Sequence, residues 1–212
     1  MSSQNMIRWS GFSMILAGLF LTLGTLIHPS KETPQTILAE ESRLIIGHWF
    51  LTFFCAFQLI GLPGVFASRA RQLGRTGLVS FLLLMLGTLF YAVSSDYGFN
   101  APVLAREAPH TLDAINAYPS VIVMDGLFVL ALLVGNIIFG ITIWRTRALP
   151  AWSGILIAVG WPLFMVGAAV SLKVNETWWF LAVLGTIILS LGLAWVGYAL
   201  WSGKEQERLQ PA

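Results

Sequence analysis

Two ionisable side chains, His48 and Asp125, stand inside otherwise apolar stretches of this chain, and His28 closes a third such stretch. A charged or titratable group in an apolar segment is costly to keep there, so each is a candidate for function. Glu41, Ile45, His48, Thr52 and Cys55 follow helical spacing and form one stripe; Asp125, Val129, Leu132, Asn136 and Gly140 form another. Both stripes are expected to face the interior of a helix bundle. The predicted site is a polar pocket floored by His48 and Asp125 and rimmed by His28, with Glu41, Asp96 and His110 close enough to join from the loops.

Three chemistries fit these residue types. Two imidazoles and a carboxylate (His28, His48 and Asp125) suit a divalent metal. A bis-histidine haem between His28 and His48 is a second, and it would be non-covalent because the chain has no C-x-x-C-H. A purely structural His48–Asp125 hydrogen bond, pinning two helices together, is the third. The spacings match no H-E-x-x-H, phosphate-binding glycine loop, G-x-S-x-G or Asp-rich motif.

The elements that must position these groups follow from composition. Of 212 residues, 57% are hydrophobic and only 10% charged, with mean hydropathy +0.77. Soluble domains carry about 25% charged residues; a surface this apolar matches a lipid bilayer. Segments long enough to cross ~30 Å of hydrocarbon fall at about 9–27, 44–68, 76–95, 121–144, 149–172 and 177–202. The expected fold is an all-α polytopic bundle of six transmembrane helices, with 1–212 forming a single transmembrane domain. The first segment exceeds a signal-peptide core in length and ends Leu26-Ile27-His28-Pro29 without a cleavage pattern, so it reads as a retained span.

Lys and Arg set the expected orientation. Arg8, Arg69, Arg71, Arg75, Arg145, Arg147, Lys204 and Arg208 fall on one side; Lys31, Arg43, Arg106 and Lys173 fall on the other, with Glu32, Glu40, Glu41, Asp96, Glu107, Asp113 and Glu176. Both termini and the 69–75 and 145–148 connections are therefore expected inside, at the cytoplasmic (inner) membrane. Trp9, Trp144, Trp152 and Trp201 at inner ends, and Trp49, Trp178 and Trp179 at outer ends, suit the headgroup boundary. Trp161 and Trp195 lie deeper and read as packing residues. The dispersed positive charge serves topology and excludes nucleic acid as a partner; Cys55, alone, can form no intrachain disulfide.

Local signals add detail. Thr33-Pro34 reads as N-cap and first helical residue, with the second span starting near residue 34 because no breaker precedes Pro63. Thr111 is expected to cap a short helix carrying Leu112 and Ile115 at the interface. Pro162 is expected to kink the fifth span. Small residues mark packing faces: Gly11, Gly18, Thr22 and Thr25; Gly77, Ser80 and Gly87; Ala182, Thr186, Ser190 and Ala194. Arg8-Trp9-Ser10-Gly11 and Ala151-Trp152-Ser153-Gly154 open spans one and five, with Gly24 and Gly167 thirteen residues after their glycines, and Arg75-Thr76-Gly77 opens span three. That pattern suggests three repeated helical hairpins.

In Gly47-His48-Trp49-Phe50, Leu59-Ile60-Gly61-Leu62-Pro63-Gly64 and Leu23-Gly24-Thr25-Leu26-Ile27-His28-Pro29, the chain resembles a loose group of bacterial six-span membrane proteins of uncharacterised activity. The resemblance extends over most of the chain and implies the six-span architecture but no activity. The leading expectation is a non-enzymatic inner-membrane protein that binds a small ligand or partner through an outer-face pocket. A transporter or proton-coupled permease is the alternative, and a membrane enzyme with metal or haem at the His/Asp cluster another. Its partners are the lipid bilayer and, laterally, a second copy or another membrane protein.

Overall fold

The computed structural model describes residues 2–203, except the side chains of Asp113 and Asn116. Lys204 and Arg208, counted among the inner charges, and the side chain of Asp113 lie outside the described residues. The described chain is all-helical: α1 (Ser3–Ile27), α2 (Pro34–Ala39), α3 (Glu41–Ser94), α4 (Tyr97–Glu107), α5 (Pro109–Asn116), α6 (Pro119–Thr146), α7 (Ala151–Lys173), a 3-10 turn (Glu176–Trp178) and α8 (Trp179–Ser202). Five of these helical stretches are long and apolar enough to cross a membrane.

The longest, α3, bends back on itself at Gly74, whose φ of 61° and ψ of −155° are open to glycine and strained for any other residue. The contacts Phe66–Phe81, Gln58–Thr88 and Phe54–Tyr91 run in opposite order along its two arms, which therefore pack antiparallel. The connection expected over 69–75 is accordingly helical except at Gly74. Arg69 is buried there and donates from Nε to the Ala148 carbonyl at 2.9 Å, tying this turn to the α6–α7 connection. A charge expected only to set topology thus also serves as a brace.

Neighbouring arms close a ring in chain order: α1, the two arms of α3, α6, α7, α8 and back to α1. In lipid, helices associate through close packing rather than the hydrophobic effect, and small residues make each contact. Cβ atoms added at Gly18, Gly87, Gly160 and Gly167 would meet, respectively, Ser190, Leu132, Leu189 and Ala182 of the adjoining helix. Thr22 donates to Ser190 across the α1–α8 seam at 2.9 Å. Two seams are built alike. A Cβ on Gly11 would meet the Gly197 carbonyl and the Trp201 amide; one on Gly154 would meet the Gly140 carbonyl and the Trp144 amide. The ring's centre is filled by Met14, Leu21, Phe54, Phe139, Ile157 and Trp161, continuous with Leu73, Leu149 and Leu200 near the turns. Trp161 packs as expected; Trp195 is 44% exposed and faces outward, so it is not a core residue.

At the other end, α2, the start of α3, α4 and α5 form a small cap over Ile37, Leu44, Ala101, Ala105 and Leu112. Thr33 caps α2 as expected, with Thr36 completing a capping box. The second long helix does not begin there, because the chain turns at Glu40 (φ −120°, ψ 27°) before α3 starts. Nor does Thr111 cap α5, which begins at Pro109; Leu112 is fully buried in the cap rather than laid on an interface. Glu41 forms an ion pair with Arg106, joining α3 to α4.

Candidate functional site

The site assembles where α1 ends. The His28 amide still donates to the Gly24 carbonyl, but its own φ and ψ (−58°, 135°) leave the helix, and the chain enters Pro29 and the 30–33 loop. His48 sits about two turns into α3, opposite. Close approach needs two glycines. A Cβ on Gly47 would come within 3.3 Å of the His28 backbone, and one on Gly98 of α4 would drive into the His48 ring. The two imidazoles consequently lie with centroids 5.0 Å apart and planes 56° from parallel.

Their hydrogen bonds fix the protonation pattern. His28 Nδ1 lies 2.7 Å from the Pro29 carbonyl oxygen, and His48 Nδ1 lies 3.0 Å from that of Ser95. A carbonyl oxygen only accepts, so each Nδ1 carries the hydrogen, and in the neutral ring each Nε2 presents a lone pair. The two Nε2 atoms face each other at 3.1 Å, and Glu32 Oε1 stands 3.4 Å from His28 Nε2. His28, Glu32 and His48 each offer one ligand atom, all within 4.8 Å of one another. Two helix C-termini point here as well, α1 at His28 and α3 at Ser95; their carbonyl ends add negative potential.

Beside this cluster opens a cavity of about 900 Å³, within the ~300–1,000 Å³ usual for small-molecule sites. Every arm of the ring contributes to its wall: Thr25 from α1, Leu51 and Tyr91 from the two arms of α3, Phe128 from α6, Phe164 from α7 and Trp179 from α8. Asp96, Asn100, Ser120 and Asp125 give it an exposed polar lining, Leu51, Tyr91, Phe128, Val129 and Phe164 supply an apolar wall, and Thr25, His28, His48 and Ser95 add buried polar groups. Met14, Leu21, Phe54, Phe139, Ile157 and Trp161, which fill the ring's centre, are not among the cavity's lining residues.

The expected site residues divide accordingly. His28, His48, Asp96 and Asp125 all line the cavity. Asp125 does not partner His48: it is exposed and accepts from Ser94 Oγ at 3.2 Å, on a stretch of α6 that buries no residue before Ala131. Its stripe turns inward only lower down, at Leu132, Asn136 and Gly140. Asp96 is exposed at the start of α4 and accepts from Asn100. Glu41 is drawn off by Arg106, and His110 is exposed on α5, away from the cavity wall. Glu32, counted only as an outer acid, takes the carboxylate place expected of Asp125. Its single signal was a position four residues after His28, across a loop whose path the sequence does not give.

The cluster fits a small cation and not haem. Iron between two imidazoles would separate their nitrogens by twice a metal–nitrogen bond, about 4 Å, and a flat macrocycle must also pass between the rings. At 3.1 Å, with Gly98 packed against the His48 ring and Gly47 against the His28 backbone, the rings leave no such gap. No protein-family model, no curated protein and no solved structure matches this chain.

Proposed function

We propose that the protein is a six-span inner-membrane protein that receives a small amphipathic molecule in its outer-face cavity. The carrying observation is that all six arms of the ring converge on one cavity that combines an apolar wall with exposed and buried polar groups. Such a lining fits a molecule with an alkyl or ring body and a polar end. A side entrance is consistent with this. The first buried residue of α6 is Ala131, and Gly126 has no atom of a neighbouring element within 4 Å of where a Cβ would stand. The outer half of α6 thus leaves room for lipid-like molecules to approach from the bilayer.

Six crossings are supported by the two antiparallel arms of α3, each long enough to span ~30 Å at 1.5 Å per residue. Orientation is supported by charge. Arg8, Arg69, Arg71, Arg75, Arg145 and Arg147 gather at the packed end of the ring, opposite the cavity, which is expected to face the cytoplasm with both termini. The like seams at Gly11–Gly197 and Gly154–Gly140 support hairpin repetition, since in both the first helix of one hairpin meets the second helix of the preceding one. A pocket reading is favoured over a transport path because the packed centre of the ring offers no continuous polar stripe; Gln58 bonds to Thr88, and Asn136 bonds back to the Leu132 carbonyl.

The test is chemical protection. In a Cys55→Ser background, a cysteine placed at Val129 in the cavity wall is expected to react with a maleimide, and lauric acid or dodecylamine should slow that reaction. A cysteine at exposed Val174 should react equally with or without them. Failure of both amphiphiles to protect Val129→Cys would overturn the reading.

A further inference from the structure

We infer that His28, His48 and Glu32 form a divalent transition-metal site whose open coordination positions face the cavity. This goes beyond amphiphile binding and stands whether or not the cavity takes such a molecule. The argument starts from the hydrogens. Both Nδ1 atoms are committed to carbonyl oxygens, so two Nε2 lone pairs and a carboxylate oxygen converge with no hydrogen among them. Three acceptors brought to 3.1 and 3.4 Å repel unless something positive sits between them. Bonds of about 2.0–2.1 Å at a tetrahedral angle place neighbouring ligand atoms about 3.3 Å apart, close to the 3.1 Å between the two Nε2 atoms and the 3.4 Å from His28 to Glu32, with the third pair within 4.8 Å. The Nδ1–H to carbonyl bonds are also what metal-bound histidines use to hold ring orientation and tautomer. Gly98 packs directly on the His48 ring, and Gly47 lets the His28 backbone approach α3.

Nitrogen and oxygen donors in a set of three suit zinc or a similar first-row divalent ion, and three protein ligands leave room for water or a ligand's polar end. Magnesium and calcium, which prefer all-oxygen shells, are disfavoured. The competing cation is a proton, shared between the two Nε2 atoms with His28 charged against Glu32. Direct titration separates the two.

The full-length chain, purified without a histidine tag, is stripped with chelator and titrated with Zn²⁺, and separately with Co²⁺ as a spectroscopic stand-in. One ion per chain and a visible cobalt d–d spectrum are expected. Glu32→Gln should weaken binding by at least ~10-fold, as loss of one ligand requires, with helicity and melting of the metal-free protein unchanged. His48→Gln should do the same; if that variant fails to fold, Glu32→Gln decides alone, because Glu32 lies on a loop and is partly exposed. Asp125→Asn should leave affinity unchanged. Absence of stoichiometric binding, or binding that Glu32→Gln leaves intact, would overturn the assignment and leave the shared proton.

Discussion

Gly98 carries much of the geometry at the residue scale. It is one of the few positions where a single methyl group decides the site, because the His48 imidazole occupies the space a Cβ would take. Gly98→Ala is therefore expected to push the His48 ring off its bond to the Ser95 carbonyl and to weaken zinc binding, with a stability cost of about 1–3 kcal/mol for overpacking. Gly126→Ala is the matched control. A Cβ there meets no neighbouring element, and alanine favours a helix by up to ~1 kcal/mol. Zinc affinity and thermal melting of the two variants should diverge. Equal behaviour would mean that Gly98 does not pack on His48. The contrast between Glu32 and Asp125 belongs here too: both are carboxylates lining the cavity, yet only Glu32 stands within reach of both rings.

Among the elements, α3 is the one whose form matters most to the site, since its two ends supply His48 and the Ser95 carbonyl that orients it. Those ends meet only because Gly74 reverses the chain between them. A side chain at that φ and ψ is strained whatever space surrounds it, and Gly74 has nothing nearby to relieve or resist the change. Gly74→Ala is expected to cost about 1–3 kcal/mol, read as a lower unfolding midpoint in detergent, with Thr76→Ala as the neighbouring comparison. A midpoint equal to that of the unmodified protein would show that this turn is not held at a positive φ. Arg69 shows a second use of the same turn, its bond to Ala148 fixing it against the α6–α7 connection.

For the whole molecule, the ring separates a packed end rich in arginine from an open end rich in acids. Impermeant thiol reagents added to intact cells should label Val174→Cys and spare Gln72→Cys, both in the Cys55→Ser background; both positions are exposed in the structure, so access is decided by the membrane alone. Labelling of Gln72→Cys from outside would invert the topology and place the cavity on the cytoplasmic side. The cavity and the metal cluster share the open end, so this one experiment also fixes the compartment from which their ligands come.

The residues themselves determined the apolar class, the helical spans, the charge asymmetry and the small-residue faces, because each depends on composition or on spacing within one helix. Thr33 as a cap and Gly11, Gly18 and Gly87 as contact positions follow from local rules of that kind. His28 and His48 were legible as candidates at the ends of their apolar runs, but they were joined only as possible metal or haem ligands, and the hydrogen-bond partner expected for His48 was Asp125. What only the tertiary structure decided is which carboxylate joins them. Asp125 has the right depth but lies on the outward-turned part of α6, whereas Glu32 reaches the cluster through a loop with no periodicity to read. Side-chain periodicity reports which way a residue points relative to its own helix. It says nothing of how a loop folds back, nor of where a helix parts from its neighbours, because both are settled by contacts between residues far apart in the chain.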